Sequence, residues 1–166
     1  YVRAVAPWLI LGHIHDDVCD QIQQNYENGV THQLYLLPRG HLKSTILYLF
    51  ATWLIIKKPW ITIIYASASS TLAELQLSSM KNILTSPVVQ HYWPGLTDNE
   101  EGKRSVWRQT EINVDHSARQ EKGVRDFTMR SIAIGHNVTG AHCDVLMYDD
   151  VVAPESAEYS PWTDTG

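Results

Sequence analysis

Apolar positions along this chain alternate between helical spacing and short continuous runs. From Asp16 to Tyr26 they recur at the three- and four-residue intervals of an amphipathic helix, and Asn28-Gly29 predicts the turn that ends it. Residues 33–37 (QLYLL) form an almost unbroken apolar run, which is typical of a strand buried on both faces of a parallel sheet. After a Pro-Arg-Gly break, Ile46 to Ile56 returns to helix-compatible spacing, and Pro59 predicts where that helix stops.

The pattern continues with a strand candidate at Ile61 to Tyr65 and a helix opening at Thr71 to Glu74. The threonine and glutamate match a capping box, in which each side chain accepts a hydrogen bond from a free backbone N–H. The apolar face predicted for this helix consists of Leu72, Leu75, Met80, Ile83 and Leu84.

The remaining stretch is richer in glycine, proline, charge and tryptophan. We predict loops with short strands from Pro87 to Asp126, and a turn at Val138-Thr139-Gly140. The strand candidates are Glu111–Val114, Met129–Ile134 and Val145–Tyr148. This succession predicts an α/β fold with a mainly parallel central sheet flanked by helices, whose ligand lies beyond the carboxyl ends of the strands.

Composition narrows the class of protein. With 166 residues, of which 44% are apolar, the chain is long enough for one compact domain with a core. Its net charge of −5 disfavours a self-sufficient nucleic-acid binder, so any DNA contact must come from a local patch, another domain or another subunit. Cys19 and Cys143 form no disulfide framework, and no secretory signal or membrane-spanning run is evident. We therefore expect an intracellular soluble domain.

The first chemical motif lies between the 33–37 run and the next helix: Leu37-Pro-Arg-Gly-His-Leu-Lys-Ser-Thr45. A nucleoside triphosphate needs inward-pointing backbone N–H groups, a positive helix end, a lysine, and a hydroxyl for Mg²⁺. Lys43 and Ser44 supply the last two. Leucines replace both glycines of the usual GxxxxGK[ST] pattern, and at Leu42 a side chain restricts the backbone. Alone, the loop is equally compatible with an ordinary turn before a helix.

The second motif is the acid pair Asp149-Asp150 at the end of the apolar run Val145–Tyr148. Adjacent carboxylates at a buried strand end repel each other unless a cation or a proton-transfer role stabilises them. In P-loop ATPases the first acid holds Mg²⁺ and the second orients or activates the attacking water. Although an acid pair alone could be a solvated loop, the two motifs in this order favour an ATPase.

These residues resemble the N-terminal ATPase domain of tailed-phage terminase large subunits, nearest to the podovirus type. The resemblance rests on Leu37–Thr45, Ile63–Ala68, Arg130–Gly140 and Asp144–Val151. It implies a P-loop NTPase fold of the ASCE type, ATP and Mg²⁺ as cofactors, and ATP hydrolysis that translocates double-stranded DNA into a procapsid.

The resemblance also implies a role for each matching residue. Lys43 contacts the β and γ phosphates, Ser44 and Asp149 hold Mg²⁺, and Arg39 stabilises transition-state charge. Asp150 matches the catalytic carboxylate, which is glutamate in many relatives. The predicted nucleotide-binding residues are Pro38, Arg39, Gly40, His41, Leu42, Lys43, Ser44 and Thr45, together with His15, which lies near the position of the family's adenine-recognising residue. His13 is the alternative for that position, and a polar residue at a helix start is the simpler account.

The implied partners are double-stranded DNA, a portal protein, the terminase small subunit and further copies in a homo-oligomeric ring, with no membrane. The implied location is the host cytoplasm, where the protein would dock on a procapsid. Because the family continues into a coupling strand and a nuclease domain, residues 1–166 are expected to be a single ATPase domain cut from a longer protein.

A pair of serines and a group of basic residues each allow more than one interpretation. Ser67 and Ser69 could couple nucleotide to substrate, or could cap the next helix. The basic residues Arg119, Lys122, Arg125 and Arg130 could contact DNA phosphate or serve a neighbouring subunit, but a solvated loop is the favoured interpretation.

Three other functions compete. A degenerate P-loop domain could bind nucleotide as a scaffold without turnover, and a helicase-like motor could carry the same two motifs. The segment His13-Ile-His-Asp-Asp17 nearly spells the ligand set of a zinc-dependent hydrolase, but Val18 stands where a further histidine belongs.

Overall fold

A computed structural model describes residues 1–97, 106–135, 140 and 142–151. The helices are α1 (Val2–Val5), α2 (His13–Glu27), α3 (Lys43–Lys57), α4 (Ser70–Leu84), α5 (Pro87–Tyr92) and α6 (Ser117–Glu121). The strands are β1 (Ile63–Ser67), β2 (Glu111–Ile112), β3 (Met129–Ala133) and β4 (Val145–Asp149). Within these ranges, no helix has the length and apolar character needed to cross a membrane.

The four strands form one mixed, mainly parallel sheet in the order β2-β3-β1-β4. Strand β1 is parallel to both β3 and β4, and only β2 runs antiparallel to its neighbour β3. All five residues of β1 are buried, as its mostly apolar sequence predicts for a central strand. The α/β class and the mainly parallel sheet flanked by helices are therefore confirmed.

Helices α3 and α4 contact each other and the sheet, and the main core lies between these layers. Its fully buried members include Leu54 and Ile55 of α3, Leu77 of α4, and Ile63 of β1. Helix α2 packs on α3 through a smaller cluster in which Val18 and Ile22 contact Ile46. The stacking of α2 on α3 brings the start of α2 near the loop that precedes α3.

A side-chain clamp joins the starts of β1 and β4. Oδ2 of Asp144 accepts hydrogen bonds from the backbone N–H and the hydroxyl of Thr62, at 2.8 and 2.9 Å. In return, the hydroxyl oxygen of Thr62 accepts from the backbone N–H of Asp144 at 2.9 Å. The register that follows pairs Ser67 with Asp149, so the acid pair at the end of β4 lies beside the carboxyl end of β1.

The predicted strand at residues 33–37 is wrong. The segment carries no strand hydrogen bonding, and Leu34 and Leu36 are 82% and 83% exposed. Tyr35 and Leu37 alternate with them and pack against the α2–α3 cluster. A strand requires a hydrogen-bonded neighbour. Within the described residues the sheet ends at β4 and provides none for this segment.

Two details of α4 also differ from the prediction. The helix begins earlier, and the Ser69 hydroxyl rather than Thr71 is its cap, accepting from the backbone N–H of Leu72. Met80, Ile83 and Leu84 are buried as predicted. Leu72 and Leu75 are 44% and 59% exposed, because Ala73 and Leu77 are on the buried face in their place. The buried face of α4 is therefore set by its contacts with α3 and the sheet rather than by apolar spacing alone.

The stretch predicted as loops contains two short helices. Ser86 caps α5 with its hydroxyl, which accepts from the backbone N–H of Val89, and His116 caps α6 through Nδ1. The strand expected at Glu111–Val114 is limited to Glu111–Ile112. Val138 and Thr139 of the predicted turn lie outside the described residues, whereas Gly140 has the positive φ of 79° that a turn glycine allows.

The basic stretch separates into different environments. Arg119 is 6% exposed, and its guanidinium donates to the backbone carbonyls of Pro59, Ile61 and Asp126. Arg130 pairs with Glu111 at 2.8 Å and lies over the Phe127 ring. Arg119 is therefore a buried structural residue: the favoured interpretation of a solvated loop is wrong for it, and neither of the two alternative surface roles applies.

We expect Arg119→Met to destabilise the domain by about 3 kcal/mol, because three carbonyl groups lose a charged donor and a buried unsatisfied polar group costs about 1–3 kcal/mol. Urea denaturation would measure the change. Arg125→Met is the matched control, since Arg125 is exposed and its replacement should change stability by less than about 0.5 kcal/mol. Equal stabilities for the two variants would contradict this role of Arg119.

Candidate functional site

The loop before α3 is a tight turn with an unusual backbone. The backbone N–H of His41 donates to the carbonyl of Pro38, and Gly40 has a φ of 80°. Leu42, the residue before α3, has a φ of 55° and a ψ of 23°, a left-handed conformation that leucine rarely adopts. The glycine expected at this position would adopt it without strain.

The first turn of α3 has the character of an anion site. The initial N–H groups of any α-helix lack intrahelical partners, and the helix dipole adds a partial positive charge there. Leu42 supplies no side-chain cap, and the first turn contains Lys43 and no acid. The amide groups at this end of a 15-residue helix can therefore receive phosphate oxygens.

The start of α3 meets the end of β4. The Ser44 hydroxyl donates to Oδ1 of Asp149 at 3.0 Å, and Nζ of Lys43 contacts Oδ1 of Asp150 at 2.8 Å. These contacts join residues 105 and 107 positions apart in sequence. The structure thus brings together the lysine, the hydroxyl and both acids that the two motifs predicted.

The two carboxylates differ in environment. Asp149 is 7% exposed, whereas the side chain of Asp150 is 61% exposed and its Lys43 partner is 33% exposed. A pair as accessible as Lys43–Asp150 contributes little stability and can exchange partners readily. The buried acid could hold an ion, and the exposed acid is accessible to water.

Tyr65 is a member of this site that the sequence reasoning missed. It lies on β1 with its ring fully buried, and its hydroxyl donates to Oδ2 of Asp149 at 2.7 Å. A buried tyrosine hydroxyl usually requires a polar partner. One sequence feature could have identified Tyr65: it is a tyrosine within the apolar run that forms β1, and an acid pair follows on a later strand.

The chemistry of the site fits Mg²⁺. Magnesium prefers oxygen ligands and keeps several waters, so one carboxylate and one hydroxyl from the protein are sufficient when phosphates supply the rest. Buried charges are normally paired or bound to metal. Within the described residues, the hydrogen-bond partners of Asp149 are the neutral hydroxyls of Ser44 and Tyr65, and it forms no ion pair.

Other predicted residues are near the site without contacting its acids. Pro38, Arg39 and Gly40 are exposed, and Thr45 is partly buried on the first turn of α3. Among the described residues the Arg39 side chain has no ion pair, and only its carbonyl is bonded, to Nδ1 of His41 at 3.1 Å. The structure therefore places Arg39 on the loop but does not bring it to Asp149 or Asp150.

His15 lies in the first turn of α2 with its ring 6.2 Å from that of His41. Its Nδ1 accepts a hydrogen bond from the backbone N–H of Gly12 at 3.0 Å, so the proton of the neutral ring is on Nε2. That Nε2 is buried and has no hydrogen-bond partner among the residues that the structure describes. An unsatisfied buried donor requires an explanation, and an acceptor on a ligand would satisfy it. His13, the alternative, is exposed.

The remaining candidates have simpler positions. Ser69 caps α4, as one of its two interpretations held, and Ser67 is buried at the end of β1. The zinc alternative finds no support, since Asp16 pairs with Arg3 at 2.7 Å. Across the ranges that the structure describes, no three histidine, cysteine or acidic residues form a metal-binding group.

Comparison with protein-family models and with curated proteins gives no match to this sequence.

The strain at Leu42 can be measured with two substitutions. Both Leu42→Gly and Leu42→Ala remove the apolar contacts of the side chain, but only alanine retains the cost of a positive φ, about 1–2 kcal/mol. We expect the glycine variant to be more stable than the alanine variant by about 1 kcal/mol in urea denaturation.

The control pair is Ser78→Gly and Ser78→Ala, at an exposed position within α4. There alanine should be the more stable by about 1 kcal/mol, the ordinary helix preference. If alanine were more stable than glycine at position 42 as well, Leu42 would not require a left-handed backbone.

Proposed function

We propose that this chain is the ATPase domain of a viral DNA-packaging motor, a P-loop NTPase of the ASCE type resembling terminase large subunits. The observation that carries the ATPase proposal is the double contact between α3 and β4, Lys43 with Asp150 and Ser44 with Asp149. The terminase proposal rests further on the loop Pro38–Thr45 and on the other passages that resemble the family.

In this proposal the triphosphate binds the amino end of α3. The free N–H groups and Lys43 bind its phosphate oxygens, and these oxygens compete with Asp150 for the lysine. Ser44 and Asp149 hold Mg²⁺, which when bound neutralises developing charge on the phosphates. Release from Lys43 leaves the exposed Asp150 free to orient water and accept its proton.

Two further residues complete the proposed nucleotide site. Arg39, which is exposed on the loop, moves to the γ-phosphate and stabilises charge in the transition state. His15 donates from Nε2 to N1 of adenine, an acceptor that would satisfy its buried N–H and that guanine lacks, because N1 of guanine carries a hydrogen.

The motor part of the proposal requires partners. Hydrolysis in a ring of copies docked on a portal protein moves double-stranded DNA, with the terminase small subunit as a further partner, in the host cytoplasm. Because the net charge is −5, we expect the basic DNA-contacting surface to be local or to lie on another domain or subunit.

The central test compares Lys43→Ala with Asp150→Asn. Lys43→Ala should weaken Mg·ATP binding about 10- to 100-fold, because charged hydrogen bonds contribute about 1.5–3 kcal/mol. Asp150→Asn should retain or slightly tighten binding, since Lys43 loses its competing partner, while turnover falls about 10²- to 10⁴-fold. Equilibrium binding of a fluorescent ATP analogue and phosphate release would measure the two effects.

Lys57→Ala and Asp20→Asn are matched controls. Lys57 is at the opposite end of α3, and Asp20 is exposed on α2. Both should leave binding and turnover unchanged. Equal ATPase rates in the wild type, Lys43→Ala and Asp150→Asn would rule out the catalytic assignment, and wild-type binding without turnover would favour the scaffold alternative.

His15→Ala should reduce the preference for ATP over GTP about 10-fold, because a hydrogen bond to adenine distinguishes the bases only while Nε2–H is present. The two nucleotides would be compared by competition against a fluorescent analogue. His91→Ala, at an exposed position on α5, is the control. An unchanged preference would remove His15 from the proposed site.

A further inference from the structure

Tyr65 and Asp149 face the same side of the sheet because of the register between β1 and β4. Tyr65 pairs with Met147, and Ser67 with Asp149, so the two side chains lie one two-residue repeat apart on adjacent strands. That repeat spans about 6.6 Å, which a tyrosine side chain can bridge. The contact between its hydroxyl and Oδ2 of Asp149 therefore follows from the strand pairing.

The Tyr65 hydroxyl acts as a fixed donor. The hydroxyl lies 2.7 Å from Oδ2 of Asp149, and because a carboxylate oxygen only accepts hydrogen bonds, the tyrosine is the donor. The ring is fully buried among core residues, which hold it in place. Oδ2 is thereby occupied, and Oδ1 is directed to Ser44 at 3.0 Å.

We propose that Tyr65 is a positioning residue for the Mg²⁺ site: its hydroxyl fixes the Asp149 carboxylate so that Oδ1 and the Ser44 hydroxyl together face the ion. The inference rests on the proposed function and adds a residue to it. Two effects oppose each other, since a donor on Oδ2 draws charge from the carboxylate while it also holds the ligand in place. Orientation is the larger effect, because loss of such outer partners typically reduces metal affinity about 10- to 100-fold.

The test is Tyr65→Phe, which keeps the buried ring and removes only the hydroxyl. The matched control is Tyr1→Phe, which removes a hydroxyl that bonds to Oγ1 of Thr52 at 2.6 Å, outside the site. Binding of a fluorescent ATP analogue would be followed while MgCl₂ is added to chelator-treated protein. Thermal unfolding without Mg²⁺ would be recorded for each variant.

We expect Tyr65→Phe to raise the Mg²⁺ concentration for half-maximal binding at least about 10-fold, without changing the weak binding measured in chelator. Tyr1→Phe should leave both quantities unchanged. A Tyr65→Phe midpoint within about twofold of wild type would reduce Tyr65 to a structural role and overturn the inference. Wild-type protein that shows no Mg²⁺-dependent binding would instead overturn the proposed function.

A second variant covers the case in which Tyr65→Phe folds poorly. In an Asp149→Asn background, the Tyr65→Phe change should have no further effect on the Mg²⁺ midpoint, because the carboxylate through which it acts is absent. Removal of the Tyr65 hydroxyl should destabilise the Asp149→Asn protein less than the wild type, because it leaves no buried charged oxygen without a hydrogen-bond donor. Additive effects of the two substitutions on the midpoint would contradict positioning through Asp149.

Discussion

The candidate site depends on the parallel pairing of β1 with β4. Reciprocal hydrogen bonds between Thr62 and Asp144 join the two strands at their starts and define the register of the pair. A slip by one residue would turn every side chain of β4 to the opposite face of the sheet. Asp149 would then leave Tyr65 and Ser44, and the buried carboxylate would lose both of its hydroxyl partners.

Asp149 and Asp150 are adjacent in sequence but differ in environment, because β4 ends between them. Asp149 still belongs to β4 and is enclosed by the start of α3 and by Tyr65, whereas Asp150 follows the strand and is exposed beside Lys43. Burial favours a neutralising cation for the first, and exposure allows exchange of partners for the second. The proposed division between holding Mg²⁺ and activating water follows from that difference in environment.

Backbone strain is located at both sides of this contact. Leu42 and Asp150 are the non-glycine residues with positive φ in the described part of the chain, at 55° and 44°. Residues in such conformations persist only where the surrounding structure holds them, and they are concentrated at functional sites. Here one precedes the helix that presents Lys43, and the other carries the carboxylate that Lys43 contacts.

The local pattern of residues determined most of the elements. Helical spacing predicted α2 and α3, and continuous or alternating apolar runs predicted β1, β3 and β4. The order of the two motifs predicted that Lys43 and Ser44 contact the acid pair. Such signals are local, since helix and strand periods are written in neighbouring residues.

Tertiary structure decided what depends on partners distant in sequence. Residues 33–37 have the composition of a buried strand but have no neighbouring strand within the described chain. Helix α4 buries Leu77 rather than Leu75 because α3 and the sheet pack against that face. Arg119 became a buried donor to carbonyls as far as 60 residues away, and Tyr65 reached a carboxylate 84 residues away. Apolar spacing predicts which residues avoid water, but hydrogen-bond partners and packing faces are selected only when the elements assemble.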